Sequence, residues 1–135
     1  MTLRDDLHAL VRPLRIVVTG GRDYVNTSKV AWVLDGLKHA HGITRLAHGN
    51  ARGLDAIAGR LAKVMGIEVV AYSVDTTLDG PWPAAGQRRN RRMLESEVKA
   101  GGIDLVVAFR GGRGTEGCKA TARRMGLRVW EADLS

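Results

Sequence analysis

Leu14-Arg15-Ile16-Val17-Val18-Thr19-Gly20-Gly21-Arg22-Asp23-Tyr24 is the stretch on which the fold of this chain turns. Its β-branched run, Ile16 to Thr19, leads directly into a glycine pair. β-Branched side chains fit a pleated strand better than a helix, and paired glycines close such a strand in a tight turn. The arrangement returns twice. Ile43 to Ala47 precedes Gly49-Asn50-Ala51-Arg52-Gly53-Leu54-Asp55, and Asp104 to Phe109 precedes Arg110-Gly111-Gly112-Arg113-Gly114-Thr115. In a parallel sheet these three turns gather at the carboxyl ends of the strands, with backbone N–H groups aimed into one cleft. That geometry suits a phosphate.

The segments between the turns read as helices. Residues 3–11 form a short amphipathic pattern that ends near Pro13. A second helix is capped from Thr27 or Ser28, with Val30, Val33, Leu34 and Leu37 as its apolar stripe. A third carries Leu54, Ile57, Ala58, Leu61 and Met65 and is closed by Gly66. Ile67 to Tyr72 is the third strand. Ser73 to about Gly86 reads as a long irregular loop, the length expected of a lid or a loose segment. The arginine-rich segment 87–92 then leads into a helix holding Met93, Leu94 and Val98. Thr115 to Met125 is the last helix and Leu127 to Trp130 the last strand. Strand and helix alternate throughout, which predicts an α/β three-layer sandwich: a mainly parallel five-stranded sheet with helices on both faces. One domain over residues 1–135 is expected, with its core at about 14–131.

Composition narrows the function. An apolar content of 44 % supports a real core. No apolar run is long enough to cross a membrane, so no membrane partner is expected. The first residues lack the apolar centre of a secretory signal, and a cytoplasmic location is the expectation. A single cysteine, Cys118, forms no intramolecular disulfide, and the four scattered histidines suggest no metal site. The net charge of +7 points to solubility or to an anionic partner, either a nucleotide or a nucleic acid.

Each turn has a plain structural reading beside a chemical one. Gly20 and Gly21 make an ordinary βα turn or let a ligand approach the backbone. They form neither the dinucleotide GxGxxG pattern nor a Walker A loop. Arg22 reaches a phosphate or faces solvent, and Asp23 and Tyr24 cap the turn or take a ribose or base. Gly49 and Gly53 bracket a helix start, where Asp55 complements the helix dipole, orients the loop or accepts a ligand hydroxyl. Gly111, Gly112 and Gly114 permit a nest of N–H groups, with Thr115 as cap and hydroxyl donor. Cys118, nearly a turn further on, fits a packing role better than a nucleophilic one. Arg88, Arg89, Arg91 and Arg92 surround Asn90. Like charges near a helix start repel one another and the dipole, a cost that a phosphate offsets; the other reading of the cluster is a solvated face. Trp82 either anchors its loop or stacks on a base.

At Gly20-Gly21-Arg22-Asp23-Tyr24, Gly49-x-Ala51-x-Gly53-x-Asp55, Gly86-x-x-Arg89-Asn90-x-x-Met93 and Gly111-Gly112-x-Gly114-Thr115 the chain resembles the SLOG superfamily. Within that group it is most similar to the YspA/YpsA-related branch of bacteria and phages. The superfamily also holds the Rossmann-like domains of DNA-processing protein A and of the lonely-guy phosphoribohydrolases. The resemblance implies a Rossmann-like fold that binds a nucleotide, with phosphate on the last glycine-rich loop. It implies binding residues at Gly20, Gly21, Arg22, Gly49, Gly53, Arg89, Asn90, Gly111, Gly112, Gly114 and Thr115. The phosphoribohydrolases carry a glutamate three residues after the threonine, where this chain has Cys118. Their chemistry would draw on Arg89 or Arg92 and on a carboxylate from Asp23, Asp55 or Glu116; the catalytic set expected is Arg89, Asp55 and Glu116. Glu116 projects from a different helical face than the missing glutamate.

The leading expectation is binding or sensing of a nucleoside monophosphate, ADP-ribose or an NAD-like ligand, with no further cofactor required. An N-glycosidase acting on nucleoside 5′-monophosphates is the alternative. Single-stranded DNA binding is a third reading, weakened by an aromatic content of 4 %. A homodimer is expected from the resemblance.

Overall fold

The computed structural model describes residues 2–8 and 10–133. The expected N-terminal helix forms as α1, Leu3–His8; Ala9, within its predicted span, lies outside the described residues, as do Met1, Leu134 and Ser135 at the ends of the expected domain. β1 is Leu14–Thr19, α2 Thr27–His41, β2 Ile43–His48 and α3 Leu54–Val64. β3 is Glu68–Ala71, α4 Thr76–Asp79 and α5 Ala85–Ala100. β4, Leu105–Ala108, α6, Arg113–Arg124, and β5, Val129–Glu131, complete the order.

The five strands form one sheet in the order β3-β2-β1-β4-β5, and every pairing is parallel. The direction of winding reverses between β1 and β4, which opens a crevice at their carboxyl ends. Alternation along the strands sorts side chains between the two faces. Ile16, Val18, Leu46, Leu105 and Val107 pack with Val30 and Leu34 of α2, Leu54 and Ile57 of α3, and Leu7 of α1. Val17, Ala47 and Val106 meet Met93 and Leu94 of α5 and Cys118 and Ala122 of α6 on the other face. This is the three-layer α/β sandwich predicted above.

Several boundaries differ from the sequence reading for local reasons. α2 is capped by Asn26, whose side chain accepts the Lys29 N–H, rather than by Thr27 or Ser28. α3 ends as predicted, with Gly66 in the left-handed region just past the helix and the Ile67 N–H closing on Ala62 O. The predicted loop from Ser73 to Gly86 contains α4, capped by the Asp75 carboxylate on the Thr77 N–H, and α5 already begins at Ala85. The arginines therefore sit past the first turn of α5, where fewer free N–H groups oppose them. α6 starts at Arg113 with Gly112 in the cap position, so Thr115 is its third residue rather than its cap.

Gly36 lies exposed on α2 with open space where a Cβ would stand. Gly36→Ala is expected to stabilise the fold by ~0.5–1 kcal/mol through helix propensity and a less flexible unfolded chain. Leu46, fully buried, is expected to cost ~2–5 kcal/mol on replacement by Ala. Urea denaturation with an unchanged slope checks both.

Candidate functional site

The three glycine turns are tied to one another through Gly21. Its N–H donates to Arg110 O at 2.8 Å, and its carbonyl accepts from Leu54 N at 3.1 Å and Tyr24 N at 3.2 Å. Close approach of backbones makes this possible. Gly53 has φ +75°, and a Cβ there would overlap the carbonyl oxygen of Gly21. A Cβ on Gly20 would press into the Leu54 side chain, one on Gly49 would stand 2.8 Å from Arg89 Cζ, and one on Gly111 would stand 2.7 Å from Gly21 N. These glycines let protein meet protein. Gly112 and Gly114 are different: nothing lies within 4 Å of where their Cβ would be.

Around this junction is a cleft of about 650 Å³. Its wall comes from Thr19 to Asp23 after β1, Gly49 to Ala51 and Asp55 after β2, and Ser73 and Val74 after β3. Trp82, Pro83, Gly86, Gln87, Arg89 and Asn90 border it from the start of α5, and Gly112 to Thr115 from the start of α6. Of the predicted site residues, Gly20, Gly21, Arg22, Gly49, Asp55, Arg89, Asn90, Gly112, Gly114 and Thr115 come together here. Gly53 and Gly111 lie outside the cleft wall as packing positions, Gly111 bordering a separate depression. Glu116 does not join them. It pairs with Lys119 at 2.7 Å and borders a separate depression with Arg110, Glu131 and Asp133, because its position on α6 turns it out of the cleft.

Two of the predicted binding groups are occupied by the protein itself. Asp55 Oδ2 accepts the N–H groups of Gly49 at 3.1 Å and Ala51 at 3.2 Å. The carboxylate thus fills the donors that an anion would otherwise take in the second turn. Burial pushes the Asp55 carboxyl up to about 6, against the opposing pull of those N–H groups and of Arg89. Arg89 in turn donates to Gly49 O, to Tyr72 O at 3.2 Å and to Asn90 Oδ1 at 2.9 Å. Its guanidinium, held below the usual arginine range by burial, braces two loops from beneath the cleft. Asn90 completes the brace through Nδ2 to Gly114 O at 3.3 Å. Cys118 is buried under the same floor, and burial pushes its thiol up to about 11, as a packing residue requires rather than a nucleophile.

Arg92 serves the segment after β3. It grips Asp79 with two bonds of 2.7 and 2.8 Å and donates to Ser73 O at 2.9 Å. No local pattern in the sequence announces this pair, because Asp79 and Arg92 lie on different elements. Gln87, which donates to Arg113 O at 3.1 Å, and Ser73, which accepts from Asn50 Nδ2 at 2.8 Å, were likewise not foreseen. Tyr24 turns away from the cleft. Its ring meets Phe109 edge-on, and its hydroxyl donates to Asp133 at 2.6 Å. Arg22 is exposed at the rim, and Asp23 pairs with Arg52 at 3.3 Å. Among the described residues, no group of three or more His, Cys, Asp or Glu is assembled to hold a metal ion, and no helix is long and apolar enough to cross a membrane.

An all-parallel sheet with its cleft at the point of reversed winding defines a Rossmann-like α/β protein. Residues 14–78 match YAcAr, the YspA, cpYpsA-related SLOG family. In structure the chain is similar to DNA processing protein A (DprA) from Streptococcus pneumoniae, with TM-score 0.50 and 18 % identity over 93 % of this chain and 60 % of that one. The chain therefore spans 60 % of the length of that structure. No curated protein matches the sequence. The family match covers just under half of the chain, and the structural likeness is one of fold.

Two buried carboxyls give stability opposite pH dependences. Arg92 holds Asp79 down to about 2, so its contribution is complete above the usual value of 3.8 and is lost as pH falls toward 2. Asp55, held up near 6, is costly when ionised, so acidifying from about 6 toward 3.8 stabilises the fold. Asp55→Asn is expected to abolish the gain in the upper window. Arg92→Ala is expected to abolish the loss in the lower one and to cost ~3 kcal/mol at neutral pH, because it strands a buried carboxylate. Urea titrations across both windows test each sign.

Proposed function

We propose that the cleft binds a nucleotide or nucleotide-derived ligand, a nucleoside monophosphate, ADP-ribose or NAD-like molecule, with a phosphate on the first turn of α6. The family match and the fold support a nucleotide-related or DNA-processing role in general. The observation that carries the finer reading is the open space at Gly112 and Gly114. At Gly20, Gly21 and Gly49 a missing Cβ is explained by neighbouring protein atoms; at Gly112 and Gly114 it is not. The first N–H groups of a helix have no intrahelical acceptor, and the helix dipole adds positive potential at that end. An oxyanion placed there meets both. None of residues 111, 112 and 114 has positive φ, so the donors are those of the helix terminus rather than of an alternating nest. Arg22 and Arg113, exposed at the same cleft, add unpaired-phosphate charge complementarity.

Cleavage of the N-glycosidic bond is a second reading, favoured by one observation. Asp55 borders the cleft with its proton affinity raised to about 6, in the range where a carboxyl serves as acid or base near neutrality. With Glu116 turned away, the reaction would depend on Asp55 alone or on the exposed Asp23.

Native mass spectrometry with AMP, GMP, NAD, ADP-ribose and a short DNA oligonucleotide at matched concentrations tests the binding reading. Retention of one mononucleotide-scale ligand is expected; retention of the oligonucleotide alone would overturn it. Chromatography of the incubated monophosphates for released base tests the second reading. Gly114→Asp separates fold from site. An acid in the first turn of a helix is favourable by ~0.3–1 kcal/mol, yet it would occupy and repel the phosphate position. The variant is expected to melt no lower than the parent while losing ligand affinity by about tenfold or more; unchanged affinity would remove the phosphate from this turn.

A further inference from the structure

Trp82 is the aromatic residue of the cleft wall, and 62 % of it is exposed. A ring of this size is among the largest apolar surfaces a fold can bury, and it is ordinarily spent on packing. The sequence offers a loop anchor or a stacking surface, and in the structure polar bonds from other residues hold the preceding segment. Arg92 holds Asp79 and the Ser73 carbonyl, and Asn50 holds the Ser73 hydroxyl. The segment before Trp82 is pinned by these polar bonds at Ser73 and Asp79.

What the ring does touch is informative. Its Cζ3 edge lies 3.6 Å from the point where a Cβ on Gly86 would stand. Gly86 opens no side chain toward it, so the ring lies low against the first turn of α5 with much of its surface uncovered. The next residue, Gln87, is bonded to Arg113 O on the first turn of α6. The flat aromatic surface and the free N–H groups of α6 therefore flank the same opening. A ligand that satisfies both carries an anionic group joined through a short spacer to an aromatic plane.

We infer that Trp82 is the stacking platform for the base of the cleft's ligand. The inference rests on the phosphate reading above and narrows it. The ligand is a nucleotide with its base in place, and a bare sugar phosphate is a poor substitute. Stacking is tolerant of base identity, because every base has a π-face. The platform supplies affinity for a base, and discrimination among bases falls to the polar groups of the wall.

Calorimetric titration of the wild-type protein, Trp82→Ala and Trp82→Phe tests this with AMP, GMP, CMP, UMP and ADP-ribose against ribose 5-phosphate. Ribose 5-phosphate keeps the phosphate and sugar of a monophosphate and lacks the base. The wild type is expected to prefer at least one nucleotide over ribose 5-phosphate by about tenfold or more. Trp82→Ala is expected to erase that preference while leaving ribose 5-phosphate affinity unchanged, and Trp82→Phe to retain most of it. Equal affinities in the wild type, or a preference that survives Trp82→Ala, overturn the platform and leave the phosphate site standing. Failure of the wild type to bind any of these compounds overturns both.

Discussion

The backbone of Gly21 joins three loops that the chain order keeps far apart. Its amide reaches the loop after β4 and its carbonyl reaches the start of α3, so the turns after β1, β2 and β4 are held at hydrogen-bond distance. The requirement is steric before it is chemical. Gly53 must reach a positive φ and let two carbonyls into the space of its side chain, and Gly111 must let Thr115 and Gly21 approach. Without that junction the reversal of winding between β1 and β4 would still leave a crevice, but its rim would have no fixed shape.

Around the junction the polar groups divide into those that the fold consumes and those it leaves free. Asp55 takes the amides of its own loop, Arg89 takes two carbonyls from separate strands' ends, and Arg92 takes Asp79. Buried charges survive only when paired or richly hydrogen-bonded, and these three satisfy that rule with protein partners. The start of α6 does not use its donors in this way. The cleft thus combines a rigid frame, since most of its polar wall is already committed, with one terminus that is not.

The strands were readable because their information is local. Ile16 to Thr19 and Leu105 to Phe109 are dense in residues that suit a sheet, and each ends in glycines. The helical stripes of Val30, Leu34 and Leu37, and of Leu54, Ile57 and Ala58, are periodic over a few turns, and all six residues are buried. The glycine motifs were legible as motifs but not in their separate duties. A sequence cannot say whether a missing Cβ faces a ligand or another loop, and only the packing distinguishes Gly53 and Gly111 from Gly112 and Gly114. The same limit applies to the arginines. Arg89 and Arg92 read as members of one cluster, yet each is claimed by groups brought near only by the folded chain. α4 escaped notice although Asp75 before Thr76-Thr77 is a good helix cap, because four residues carry too little periodicity to register.

α5 has a consequence that reaches beyond the cleft. Its amino-terminal half carries Gln87, Arg89, Asn90 and Arg92, which hold the walls. Near its other end Glu97 is buried and accepts two bonds from Arg45 at 2.8 Å and one from Tyr72 at 2.6 Å. Tyr72 also offers its carbonyl to Arg89, so a single residue of the chain is grasped from both halves of one helix. Such a helix has no partial way to leave the sheet. The amide protons of its buried middle turns should exchange with solvent only when the whole molecule unfolds, and the rim of the cleft inherits the lifetime of the native state.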